Sequence, residues 1–206
     1  REGGHVEAIK AHLGNSSFVH LDIRDFFGSV NRTRVTRCLK TKFDYDFART
    51  VANESTVRHP EDGKQFILPF GFVQSPIIAS LCLFESALGV CLHRLQKTRK
   101  ASVSVYMDDI IISTNSHEVS QALVSEIKHS AERARFQLNT DKEERPSSSI
   151  TAFNIELSQH SMLIATERLD RFIEAFRNAE NEHQRNGIAG YIASVNLEQT
   201  ARLAGL

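Results

Sequence analysis

The chain lacks most of the features that would class a protein by composition alone. Cys38, Cys82 and Cys91 are odd in number and show no C-x-x-C spacing. That pattern tells against a disulfide framework or a zinc site and leaves buried, reduced thiols as the expectation. The nine histidines contain no H-x-x-x-H pair of the metal-ligating kind. No apolar run nears the roughly 20 residues needed to span a bilayer, and no charged-then-apolar leader opens the sequence. Neither a membrane span nor secretion is therefore expected. There is no internal repeat or low-complexity tract. A charge surplus is missing too, because 25 Lys and Arg balance 25 Asp and Glu. Proteins that grip nucleic acid ordinarily carry a basic excess, so the sum tells mildly against that class.

Distribution says more than the sum. Arg32, Arg34, Arg37, Lys40 and Lys42 form one acid-free basic run, and Arg94, Lys97, Arg99 and Lys100 form a second. Each run alone reads equally well as a solvated helix face. Together, flanking the acidic motifs described below, they point towards contacts with a phosphate backbone. With 41% hydrophobic and 24% charged residues over 206 positions, the chain has enough apolar matter for one sizeable core.

Periodicity places the elements. Ser17–Ile23 alternates Phe18, His20 and Asp22 with Val19, Leu21 and Ile23, the pattern of a strand. Asn31 can cap a helix that turns Val35, Cys38 and Leu39 inward. Asp44–Glu54 reads as another helix, and Pro60–Gly63 as a turn between extended segments. Ser75-Pro76 should open one long core helix with Ile77, Leu81, Phe84, Leu88, Cys91 and Leu95 along its apolar stripe. Val103–Tyr106 and Ile110–Ser113 form a hairpin through Met107-Asp108-Asp109. Ser116 caps a helix with Val119, Leu123, Ile127 and Ala131 inward. Ile150–Leu157 and Met162–Ala165 read as a second hairpin turning at Ser158–Ser161. Thr166 starts a helix burying Leu169, Phe172, Ile173 and Phe176, and a helical tail runs from Gly187 to Leu206. The expected class is α+β, an antiparallel sheet with helices packed on one face, of the RRM-like or ferredoxin-like kind.

Three blocks carry the chemistry: L-D-I-R-D-F-F at Leu21–Phe27, L-P-F-G-F-V-Q-S-P at Leu68–Pro76, and Y-M-D-D at Tyr106–Asp109. Asp22 ends a strand, while Asp108 and Asp109 sit at a hairpin tip. Adjacent carboxylates inside an otherwise apolar hairpin repel each other unless a cation offsets the repulsion. With Asp22 they can hold two divalent cations about 3.5–4 Å apart, the arrangement that activates a 3′-hydroxyl and neutralises a triphosphate. The Ile23 carbonyl adds a further hard oxygen donor of the type Mg²⁺ prefers. An exposed acidic turn is the bland alternative.

In combination, and with L-N-x-x-K at Leu138–Lys142, the blocks resemble the palm of reverse transcriptases, especially the bacterial branch of retron, group II intron and phage-defence enzymes. The similarity runs from about Gly14 to Phe176. It implies an RNA-directed DNA polymerase of the polymerase-palm fold, using two Mg²⁺ with Mn²⁺ as a substitute. Asp22 and Asp108 are the implied principal metal ligands, with Asp109 completing the cluster. The Asp25 and Phe26 amides meet the triphosphate in this resemblance, and Phe27 forms the steric gate that excludes a 2′-hydroxyl. Phe26 and Phe27 equally suit a core. Lys142 stands where the family places a general acid or charge stabiliser for the leaving pyrophosphate, although a solvated lysine fits that charge run as well. Phe70, Gly71 and Tyr106 complete the implied substrate contacts, and Phe153–Leu157 corresponds to the primer grip.

Two departures stand out. Phe70 replaces a frequent glutamine and cannot donate that side chain's hydrogen bond, and no V-T-G segment of the retron type is evident near Ile150–Asn154. These favour a divergent, defence-associated bacterial enzyme in the cytoplasm. Its expected partners are an RNA template, a DNA or RNA primer and deoxynucleoside triphosphates, with a non-coding RNA or a second copy of the chain as further candidates. Residues 1–165 should form the palm with partial fingers, and 166–206 a helical connection into a thumb. A basic fingers region is expected upstream, and the segment without it is expected to be inactive alone. Template-independent or protein-primed synthesis, and an inactive palm serving as a nucleic-acid scaffold, remain the competing readings.

Overall fold

The computed structural model describes residues 4–139 and 145–204. Its centre is a three-stranded antiparallel sheet in the order β1 (Ser17–Asp22), β5 (Asp109–Thr114), β4 (Ser102–Tyr106). Strand β5 lies in the middle and is covered on both faces. That explains why Ile110, Ile111 and Ile112 run consecutively instead of alternating with polar residues. Val19, Leu21, Val103, Ile110 and Ile112 enter the larger core. That core is completed by α2 (Arg32–Leu39), α3 (Tyr45–Glu54), α4 (Ser75–Phe84), α5 (Ala87–Lys97) and α6 (His117–Ala134). Between α3 and α4, β2 (Val57–Arg58) pairs with β3 (Phe66–Ile67).

The opposite face sends Phe18 and Ile111 into a second core. There it meets α1 (Gly4–Lys10), a meander of β6 (Ser149–Ala152), β7 (Ile155–Ser158) and β8 (Ser161–Ile164), and helices α7 (Thr166–Arg177) and α8 (Glu182–Val195). The architecture is the expected α+β layer, extended by a second sheet on the face that carries Asp22. Two caps fall where side-chain oxygens predict them, whereas Ser75, expected as a cap, is the first helical residue and its Oγ donates to the Pro69 carbonyl at 2.7 Å. Asn31 accepts from the Arg34 amide at 2.9 Å, and Ser116 accepts from the Val119 amide at 3.3 Å.

Three expectations need correction. The helix opened by Ser75 is two helices bent by 71°. Ser86 caps the second, accepting from the Gly89 amide at 3.2 Å, and Gly89 admits the close approach because a Cβ there would overlap the Leu83 and Phe84 carbonyl oxygens. The bend rotates Ile77 and Phe84 into solvent, at 71% and 56% exposure, while Leu88, Cys91 and Leu95 stay buried. The second hairpin is a three-stranded meander. Its first turn is Phe153-Asn154, both at positive φ (55° and 60°), which a sequence without glycine does not advertise. The tail is α8 from Glu182, then a 3-10 turn over Glu198–Leu203, and α1 is an element the sequence pattern did not suggest.

Candidate active site

Register builds the site. Asp22 of β1 lies directly opposite Asp109 of β5, and Asp109 is also opposite Tyr106 of β4. The Ile23 amide donates to the Asp108 carbonyl at 2.9 Å. Ile23 and Asp108 are thus a hydrogen-bonded position, which makes Asp22–Asp109 the neighbouring non-hydrogen-bonded pair, with Cα atoms typically about 4.5 Å apart and side chains closest. Like charges in that position are destabilising. Met107 turns the chain at φ 55°, a left-handed conformation unusual for a side chain of its size.

Donors compensate the two facing carboxylates. His20 lies diagonally across from Asp109, and its Nε2 donates to Asp109 Oδ1 at 2.6 Å. Asn139 Nδ2 donates to Asp22 Oδ1 at 3.0 Å, while its amide donates to the Asp22 carbonyl at 2.8 Å. The backbone therefore brings Asp22, Asp109 and the adjoining Asp108 to one end of the sheet. Among the described residues no three Asp, Glu, His or Cys side chains stand together as a metal cluster. Alternation already set His20 on the face of Asp22, two residues away, and that signal could have found it. Asn139 belongs to the L-N-x-x-K block, but its bond to Asp22 is a tertiary contact.

The turn after β1 is compact. Asp25 takes φ 45°, and its carboxylate fills the space a Cβ on Gly28 would need. Ser29 Oγ donates to the Phe26 carbonyl at 2.6 Å. The Phe26 ring is a core residue at 4% exposure, between Phe27 and Phe136 with centroids 5.6 and 6.1 Å away. Phe27 is half-buried and faces Phe70 at 6.1 Å. Phe70 is 90% exposed, beside Gly71 at φ 95°. Tyr106 is packed edge-on by Phe153 (5.3 Å) and His5 (6.2 Å), and His5 Nε2 shares a hydrogen bond of 3.0 Å with the Tyr191 hydroxyl. Lys142 lies outside the described residues.

The first basic run is divided: Arg32 and Arg34 are spent on contacts within the fold, while Arg37, Lys40 and Lys42 are exposed. Arg34 donates to the Ala134 carbonyl at 2.6 Å and stacks over Phe136; Arg32 bonds Thr56 and covers Phe66; Lys42 pairs with Glu85. Cys38, Cys82 and Cys91 are free and buried, as the spacing suggests. Among the described residues no single helix is long and apolar enough to cross a membrane.

A sheet that sets Asp22 against Asp109 and closes on Asp108, with helices behind it, has the form of a polymerase palm. The chain belongs to the reverse transcriptase (RNA-dependent DNA polymerase) family, whose model matches residues 1–161. It is 29% identical over 149 residues to the Retron Ec73 reverse transcriptase of Escherichia coli, covering 65% of this chain and 44% of that protein. The chain thus spans less than half the length of this curated relative. In fold it is similar to the foamy viral protease-reverse transcriptase in complex with RNA/DNA hybrid, with a TM-score of 0.60 and 14% identity over 93% of this chain and 23% of that one. The dRH form in complex with double-stranded DNA gives a TM-score of 0.56 and 17% identity, over 92% and 29%. At these identities the likeness is one of fold.

Proposed function

We propose that this chain supplies the catalytic palm of an RNA-directed DNA polymerase, which extends a primer 3′-hydroxyl with deoxynucleotides. The observation that carries the reading is the cross-strand placement of Asp22 against Asp109 with Asp108 in the adjoining turn. The donor set fits two Mg²⁺, or Mn²⁺ in their place: the carboxylates of Asp22, Asp108 and Asp109, and the Ile23 carbonyl, are hard oxygens. The Ile23 amide faces Asp108, and in extended backbone its carbonyl turns to the same side. Bound cations would activate the primer oxygen and neutralise the triphosphate. Asp109, now bonded by His20, and Asp22, now bonded by Asn139, would hold the cations with Asp108.

The half-buried Phe27 ring, braced by the Phe26 core contact, suits the gate against a 2′-hydroxyl. The exposed Phe70 ring, 6.1 Å from Phe27, and Gly71 would meet the incoming nucleotide, and Tyr106, braced by Phe153, the primer end. The Asp25 and Phe26 amides receive the triphosphate, and Lys142 assists the leaving pyrophosphate. Residues 1–165 act as palm with partial fingers, β6–β7 as primer grip, and 166–206 as the start of a thumb. RNA template, primer and deoxynucleoside triphosphates are the partners, and a cytoplasmic role in anti-phage defence belongs to the same reading.

Primer extension by the intact protein on defined RNA templates tests it. Wild type should incorporate according to template, and an Asp108→Ala, Asp109→Ala variant should lose incorporation by about 10³-fold or more, the scale of removing a principal electrostatic stabiliser. Equal incorporation by both would remove these residues from the chemistry. Products indifferent to template sequence would instead favour untemplated addition.

A further inference from the structure

The second basic run and the far end of the central sheet meet in a cavity that the chemistry above does not use. It measures about 430 Å³, is bordered by Asn15, Gln96, Arg99, Lys100, Ser102 and Asn115, and has no Asp or Glu in its lining. Ser102 opens β4 and Thr114, also in the lining, closes β5. Five residue steps of about 3.4 Å separate Thr114 from Asp109, so the cavity stands roughly 17 Å from the acidic end.

Its polar groups are arranged as donors. Within the basic run, Arg94 pairs with Glu126, whereas Arg99 and Lys100 are exposed and form no ion pair among the described residues. Arg99 takes φ 54° where α5 ends, a place glycine fills without steric cost, and brings a cation to the rim. Asn15 Nδ2 donates to Ser102 Oγ at 3.0 Å and to Ser113 Oγ at 2.8 Å. A hydroxyl has one proton and two lone pairs. With Asn15 on a lone pair of Ser102, the Ser102 proton stays available, and no described acceptor takes it. The Ser113 hydroxyl is engaged by His12 Nδ1 at 2.7 Å. One hydroxyl donor lining the same cavity as two cations complements an anionic phosphate oxygen.

We propose that this cavity is a second nucleic-acid contact, seating a backbone phosphate of RNA between Arg99, Lys100 and Ser102 while the primer end occupies the acidic end of the sheet. The inference rests on the reading that this chain works on RNA, and it extends the RNA path to the opposite end of the palm. An open rim with exposed cations suits a strand crossing it better than a small enclosed anion.

Lysine acetylation of the intact protein, mapped by mass spectrometry, reads the site directly. Single-stranded RNA should protect Lys100, and inorganic phosphate at equal phosphate concentration should not. An Arg99→Gln, Lys100→Gln variant should lower the slope of log K against log salt by about 1.4, which is about 25-fold in affinity at about 0.1 M relative to about 1 M salt. An unchanged slope and affinity overturn the proposal. Protection by phosphate as complete as by RNA also overturns it, in favour of a small-anion site. Asp108→Asn removes the proposed chemistry and should leave Lys100 protection intact; loss of protection there would tie Lys100 to the acidic end and sink the separate contact. Protection in a wild-type protein that incorporates no nucleotide would defeat the polymerase reading and leave this one standing.

Discussion

Acid should unfold this protein through one buried histidine. His12 is fully buried behind the central sheet, with Nδ1 2.7 Å from Ser113 Oγ and Nε2 without a hydrogen-bond partner among the described residues. A charged imidazole would need to place a proton on each nitrogen, and the Nε2 proton would have no acceptor. Burial accordingly lowers the His12 pKa from 6.5 to about 4. Between those values the unfolded chain binds the proton and the folded chain does not. Stability from this group is therefore complete above about pH 6.5 and drains away as pH falls towards about 4. The slope is about 1.4 kcal/mol per pH unit and the whole loss about 3 kcal/mol, a large share of the 5–15 kcal/mol that typically separates folded from unfolded states. Urea titrations from about pH 7 to about pH 4.5, on wild type and His12→Gln, measure it. Glutamine keeps a polar partner for Ser113 and cannot titrate. The variant should start less stable by about 1 kcal/mol and then, over this pH window, lose about 2.5 kcal/mol less than wild type. Parallel losses in the two proteins would refute the account, because carboxylates common to both would then carry the whole acid response.

Two further substitutions test the packing and the acidic end. Gly89→Ala would ordinarily gain helix propensity of about 1 kcal/mol. Here the added Cβ meets two backbone carbonyl oxygens at the end of α4, so we expect a loss of about 2 kcal/mol and a melting temperature lower by about 6 °C, read by calorimetry. His20→Ala removes a donor from Asp109 and leaves its repulsion with Asp22 uncompensated. It should lower the melting temperature by about 5 °C without divalent cations, with part of the loss recovered on adding MgCl₂; an equal deficit with and without Mg²⁺ would separate His20 from any cation site.

What the sequence disclosed was local. Strand alternation at Ser17–Asp22, the hairpin through Met107 and Asp108, and caps at Asn31 and Ser116 depend on neighbours a few residues away, and each is where its pattern puts it. The acidic residues of the site were equally legible, because a strand end and a hairpin tip announce them. The contacts that hold the site were not. His20 reaches Asp109 across 89 positions and Asn139 reaches Asp22 across 117, and no short-range pattern encodes such a meeting. The elbow between α4 and α5 escaped for a different reason. The apolar spacing continues through it, and only the serine cap and the one tolerable glycine mark the break. The Phe153-Asn154 turn was hidden because a phenylalanine at positive φ contradicts its own preference and is held there by packing against Tyr106 and His5.

The departures from local preference have a distribution that bears on function. Asp25 and Met107 both take positive φ, and both lie within three residues of Asp22 or Asp109 in the chain. The Asp22–Asp109 pair sets like charges at the closest cross-strand position. A turn serving only to connect β4 to β5 would gain from a neutral residue at 109, which relieves the repulsion, whereas Met107 keeps its left-handed conformation while packing against the larger core. Instead His20 and Asn139 are committed to holding the carboxylates in place. Positive φ recurs elsewhere in the fold, at Arg99, Phe153 and Asn154 among others, so what sets this sheet end apart is the like-charge pair with polar donors beside it, an arrangement consistent with the proposed cation site. The opposite end of the same sheet collects Arg99 and Lys100 with no acid beside them in the cavity wall. One sheet thus separates acidic from basic chemistry along the length of β5, and that polarity suits a protein that binds metal at one end and phosphate at the other.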